Sequence, residues 1–109
     1  MVRVSILYPN TEGGRFDFDY YLATHMPMSI RLLGDAVKKV DIERGVSGPA
    51  PGSPAAYVAL CHFTCETREA FEAAFFANAA ALQGDMPNYT DIEPVIQISE
   101  VALTHQPRT

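Results

Sequence analysis

The stretch from Phe16 to Ile30, FDFDYYLATHMPMSI, sets His25 two residues before Pro27 inside an amphipathic pattern. Taken at about 100° per residue, Phe18, Leu22, His25, Ser29 and Leu32 share one narrow, mostly apolar stripe, which turns His25 toward the interior. Histidine changes charge near neutral pH, so an inward imidazole at the rim of a cavity suits general acid–base work. A core histidine bonded to a backbone carbonyl is the alternative, with Pro27 merely starting a new helical turn. Other polar groups are placed to assist. Tyr8 and Asn10, at the end of the first strand, can orient a carbonyl or hydroxyl. Tyr21 lies one helical turn before His25. Asn78 falls on the inward stripe of a later helix and needs a partner if buried. Asn88 and Tyr89 stand in the loop before the last strand. Each has a structural reading too: Asn10 and Asn88 are turn residues by type, and tyrosines often edge a core.

The three histidines are not at metal-ligand spacing, and Cys61 and Cys65 have no second pair, so no metal site is predicted. No GxGxxG follows the first strand, which excludes a self-sufficient Rossmann-type nucleotide site, and no cofactor is predicted. In one strand the two cysteines are held about 13 Å apart, too far for a disulfide. Reduced thiols point to the cytoplasm. A net charge of −5 without Lys/Arg runs argues against nucleic acid. Apolar runs of only a few residues argue against a membrane span, and the N-terminus lacks a signal-peptide h-region.

The elements that must position these residues read as follows. Residues 2–8 alternate as a strand with Val2, Val4, Ile6 and Tyr8 on one face. Asp17 caps a helix running to about Leu33, where Gly34 stops it. Pro27 forfeits the bond to the carbonyl of Ala23, so the helix is expected to split, one segment ending near His25 and the next starting at Pro27. The later part of 36–46 forms a half-exposed strand near an edge. Residues 47–54, SGPAPGSP, form a loop. Residues 55–64 form a central strand with His62 on the face opposite Cys61 and Phe63, most simply a satisfied structural histidine. Thr67 caps a second helix with Phe71, Phe75, Asn78 and Leu82 along one side, ending at Gly84. The last strand lies within 92–103, and the tail from Thr104, including His105, is expected to fray.

With 109 residues this is one domain, 1–109, of order β-α-β-β-α-β, an α+β ferredoxin-like fold with both helices on one face of the sheet. Several strands are apolar on both faces: Leu7 opposes Ile6, Val58 and Leu60 oppose Ala59 and Phe63, and Val95 opposes Ile96. A second apolar face needs a cover, so a homodimer packed sheet against sheet is predicted.

YPN after the first strand, FDFDYYLATHMP, and GDMPNYTD before the last strand together resemble the EthD-like family, named for ethyl tert-butyl ether degradation, over nearly the whole chain. The resemblance implies a dimeric α+β barrel and small-molecule catabolism or secondary metabolism, and it carries His25 over as the pocket residue. The family pattern often has Phe where Tyr89 stands, so this chain adds a hydroxyl there. The implied function is binding of a small hydrophobic carbonyl, lactone or aromatic compound between helices and sheet. On one reading the protein is a cofactor-independent isomerase or lyase, with His25 moving a proton and Tyr8 steadying oxyanion charge. On the other it is a non-catalytic accessory protein that holds the ligand for a partner oxygenase.

Overall fold

The computed structural model describes residues 1–107 of the chain. The elements are β1 (Val2–Pro9), α1 (Phe18–Tyr20), a π-helical turn (Tyr21–His25), α2 (Met26–Leu33), β2 (Lys39–Arg44), β3 (Tyr57–Cys65), α3 (Arg68–Gly84) and β4 (Val95–Glu100). Short 3-10 turns follow α2 and α3. The strands make one antiparallel sheet in the order β2-β3-β1-β4. This is the ferredoxin-like α+β arrangement, with the apolar strands β1 and β3 central and β2 and β4 at the edges.

The pleat sorts the side chains. On the helix-covered face, Val4, Tyr8, Ala59, Cys61 and Phe63 are buried and meet Met26, Leu33, Phe71 and Leu82. The open face is mixed. Leu7, Val58 and Leu60 sit half-buried at one end beside the exposed Val95. The middle is polar: Ser5 Oγ bonds His62 Nδ1 at 2.9 Å, and His62 Nε2 lies 3.4 Å from Glu43. The expectation of a second fully apolar face is therefore met only at one end, because Ser5, His62 and Gln97 align in register across it. The last strand also stops at Glu100, short of the expected Leu103, and Leu103 is exposed. Of the tail expected to fray, residues 101–107 form no regular element, while 108–109 lie outside the described residues.

The first helix continues through Pro27 without a break, but it changes turn type at His25/Met26, next to the expected split. Met26 is fully helical (φ −66°, ψ −44°) and its N–H bonds the carbonyl of Tyr21, five residues back. Widening one turn in this way places Pro27 in the first turn of α2, where its missing N–H is harmless. The wide turn also re-phases the helix. Residues five apart now align, so Tyr21, His25, Met26, Ser29 and Leu33 are buried. Leu22, which a straight helix would bury, is 45% exposed.

Gly34 ends α2 at φ +57°, ψ −135°, a conformation nearly closed to residues with a Cβ. A Cβ there would meet nothing within 4 Å, so the constraint is purely backbone. Gly34→Ala is expected to lower stability by about 1–3 kcal/mol, read from chemical denaturation midpoints at unchanged slope.

Candidate functional site

Between the helices and the sheet lies an open, mainly apolar cavity of about 330 Å³. Its floor is Ile6, Tyr8, Phe63 and Ile96 from the sheet. Met26, Ser29 and Leu33 of α2 form one wall, and Phe71, Phe75 and Leu82 of α3 form the other. It opens toward the edge strand β4, where Ile96 is 53% exposed and Glu93 and Pro94 form the rim.

His25 is in this cavity wall, 5% exposed. Its ring is stacked on Tyr21 at 5.6 Å and 14° between planes, and tilted against Tyr89 at 4.5 Å. Nδ1 lies 2.9 Å from the Asp85 carboxylate. Nε2 faces the Tyr89 hydroxyl at 3.5 Å, the outer limit of a hydrogen bond. The Tyr89 hydroxyl is 2.8 Å from that of Tyr8.

Asp85 is the residue the sequence reading passed over. It is the C-cap of the 17-residue α3, which ends at Gly84 as expected, and its own backbone is still in right-handed helical conformation. A carboxylate there faces the negative end of the helix dipole. Burial also acts to raise its pKa. Hydrogen bonds from Tyr20 (2.7 Å), Asn88 (2.9 Å) and His25 outweigh this and hold the carboxyl below its ordinary value. Asp85 is therefore ionised and accepts the proton-bearing Nδ1 of His25, which leaves Nε2 as the ring atom that faces the Tyr89 hydroxyl and the cavity. An acidic residue where a basic one favours the dipole was the available signal.

The tyrosines stay neutral. Burial pushes Tyr8 up to about 12, with the hydrogen bond to Tyr89 acting in the opposite direction. Burial likewise raises Tyr89 and Tyr21, and it pushes the Cys61 thiol up to about 12. Tyr21 lies behind His25, fully buried, its hydroxyl without a partner of bonding geometry. Tyr89 is held from its own loop: its carbonyl accepts from Asp17 N at 2.7 Å, and Arg15 donates to the Pro87 carbonyl at 2.7 Å.

The structure thus brings His25, Tyr8 and Tyr89 together at the cavity, with Tyr21 behind them. Asn88 is exposed and reaches the site only through Asp85 and Tyr20. Asn10 is exposed and donates to the Ala55 carbonyl at 3.0 Å, so it is a turn residue outside the cavity. Asn78 donates to the carbonyls of Ala74 and Leu32, at 2.9 and 3.2 Å, and so ties α3 to α2 instead of facing a ligand. Its stripe was inward, but neighbouring carbonyls satisfy it first.

The EthD domain family model matches residues 15–93. Among solved structures, the chain is similar to an EthD-like protein from Ralstonia eutropha JMP134, with TM-score 0.93, 47% identity, and coverage of 98% of this chain and 96% of that one. It shares its fold with an EthD family protein from Bacillus halodurans C-125, at TM-score 0.64 and 19% identity, covering 93% of this chain and 98% of that one. HapK from Hahella chejuensis has the same fold, at TM-score 0.58 and 15% identity, covering 99% of this chain and 100% of that one. No curated protein matches the chain.

The lowered Asp85 pKa gives a signed pH dependence. Between the ordinary carboxylate value, about 4, and the lower folded value, the unfolded chain binds a proton that the folded chain does not. Stability from Asp85 is complete above that interval and is lost as pH falls through it. Urea denaturation should show wild type losing stability relative to Asp85→Asn as pH drops from 5 toward 2, roughly the interval set by carboxylate titration.

Proposed function

The chain belongs to the EthD domain family, and from that membership and the cavity's geometry we propose that it binds a small hydrophobic carbonyl, lactone or aromatic compound and moves a proton on it with His25. One observation carries the reading: the Asp85 carboxylate holds Nδ1 of His25 at 2.9 Å and leaves Nε2 as the acceptor at an apolar cavity. In the proposed step, Nε2 takes a proton from the carbon next to the carbonyl. The resulting imidazolium is paired with Asp85. The carbonyl oxygen, gaining charge, accepts a hydrogen bond from the phenols of Tyr8 or Tyr89, which burial keeps protonated. Returning the proton to another carbon gives isomerisation; no cofactor is needed for it.

The chain is also proposed to work as a homodimer. The support is the apolar end of the open sheet face, where Leu7, Val58 and Leu60 adjoin the exposed Val95. Leu60→Glu places a charge in that patch and is expected to halve the mass measured by sedimentation equilibrium. A wild type that sediments as a monomer contradicts the dimer.

The chemistry is tested by α-hydrogen exchange in D2O, followed by NMR on a panel of alkyl lactones and aryl ketones. The protein should speed exchange of at least one ligand class. His25→Ala should slow it by about 10²–10⁴-fold, the range for a general acid–base group, and Tyr8→Phe by about 10²-fold. A ligand that binds yet exchanges no faster than in buffer would move the protein to the accessory, non-catalytic class.

A further inference from the structure

Resting on the ligand cavity just proposed, we infer that the site selects by charge and takes neutral carbonyl compounds while rejecting carboxylates. The cavity is lined by neither lysine nor arginine among the described residues. Arg68, in the adjoining shallow groove, is bonded to Glu72. One carboxylate lines the cavity instead, Glu93 on the rim, and a second, Asp85, lies one side chain back, on Nδ1 of His25. The phenols of Tyr8 and Tyr89 remain neutral donors, so they supply hydrogen bonds and no positive charge. The single group able to become cationic, His25, has its charge matched in advance by Asp85.

An anionic ligand would leave water for an apolar pocket that offers it no lysine or arginine, with Glu93 on the rim and Asp85 beyond His25 adding like charge. A ketone or lactone meets the phenol donors, the Nε2 acceptor of His25 and apolar walls, and carries no charge for the carboxylates to repel. Among the reactions open to His25, this favours proton transfer within a neutral carbonyl compound over loss of carbon dioxide from a carboxylate. It also means that a lactone is held in its closed form and a ring-opened hydroxy acid is released.

Two matched pairs test this by calorimetry near neutral pH: δ-decalactone against 5-hydroxydecanoate, and 2-acetylnaphthalene against 2-naphthoate. The neutral member of at least one pair should bind tenfold or more tightly than its anion. In Asp85→Asn that ratio should fall severalfold, because a fixed negative charge is removed while shape and apolar area are kept. A carboxylate that binds as tightly as its neutral partner, or takes up a proton to do so, overturns the charge selection and leaves the ligand cavity standing. A ratio unchanged in Asp85→Asn overturns the part assigned to Asp85. Failure of all four compounds to bind, with His25 ring signals unmoved, overturns the cavity reading and this inference together.

Discussion

Asp85 sits where a helix least tolerates it. The last carbonyls of α3 already turn their negative ends toward its carboxylate, and partial burial adds to the cost. It stays ionised because Tyr20, Asn88 and His25 donate to it from three directions. The first helix brings Tyr20 and His25 and the turn after α3 brings Asn88, so the carboxylate, like Asn78, ties α3 to the first helix. The rest of the site follows from it. With Nδ1 committed as a donor, the imidazole has one free acceptor, and the stacked Tyr21 and tilted Tyr89 rings leave that acceptor facing the tyrosine pair and the cavity.

The surrounding fold is arranged so that this contact can exist. A straight helix would have presented Leu22 inward and turned Met26 away. The five-residue π turn rotates Tyr21 into the core, where its ring also packs edge-on against Phe16 and close to Tyr89. Pro27 is compatible with it because the turn ends at His25, two residues earlier, and leaves the proline in the first turn of α2. Phe16, bridged to Thr90, and Asp17, bonded to the Tyr89 carbonyl, pin the two loops together so that Tyr89 meets Tyr8 on the helix-covered face of the sheet. Local irregularity in the first helix and ordinary pairing elsewhere thus serve the same group of side chains.

Much of this was legible from residue order. Alternation marked β1 and β3, Asp17 and Thr67 acted as caps, Gly34 stopped α2, and His25 was placed inward. Tyr8 and Tyr89 were singled out by position, and both reach the cavity. The rest depended on contacts that periodicity does not encode. A proline inside a helical pattern reads as a break, because a single wide turn leaves no mark on a 3.6-residue period. Asp85 lies 60 positions from His25, so nothing local announced the pair. Asn78 is a ligand candidate because a buried amide needs a partner, and Asn10 because it stands at the end of the first strand, but the carbonyls of Leu32 and Ala74 satisfy the first and that of Ala55 the second. Hydrophobicity taken strand by strand predicts an apolar open face, whereas Ser5, His62 and Gln97 form a polar row only through the register of the strands.

The tautomer of His25 can be read from ¹⁵N–¹H long-range correlations of the ring in wild type and in Asp85→Asn. Nδ1–H with an unprotonated Nε2 is expected in wild type, and loss of that preference is expected when the carboxylate is removed. A wild-type ring protonated at Nε2, or one indifferent to the loss of Asp85, would contradict the claim that this carboxylate prepares His25 as the acceptor at the cavity.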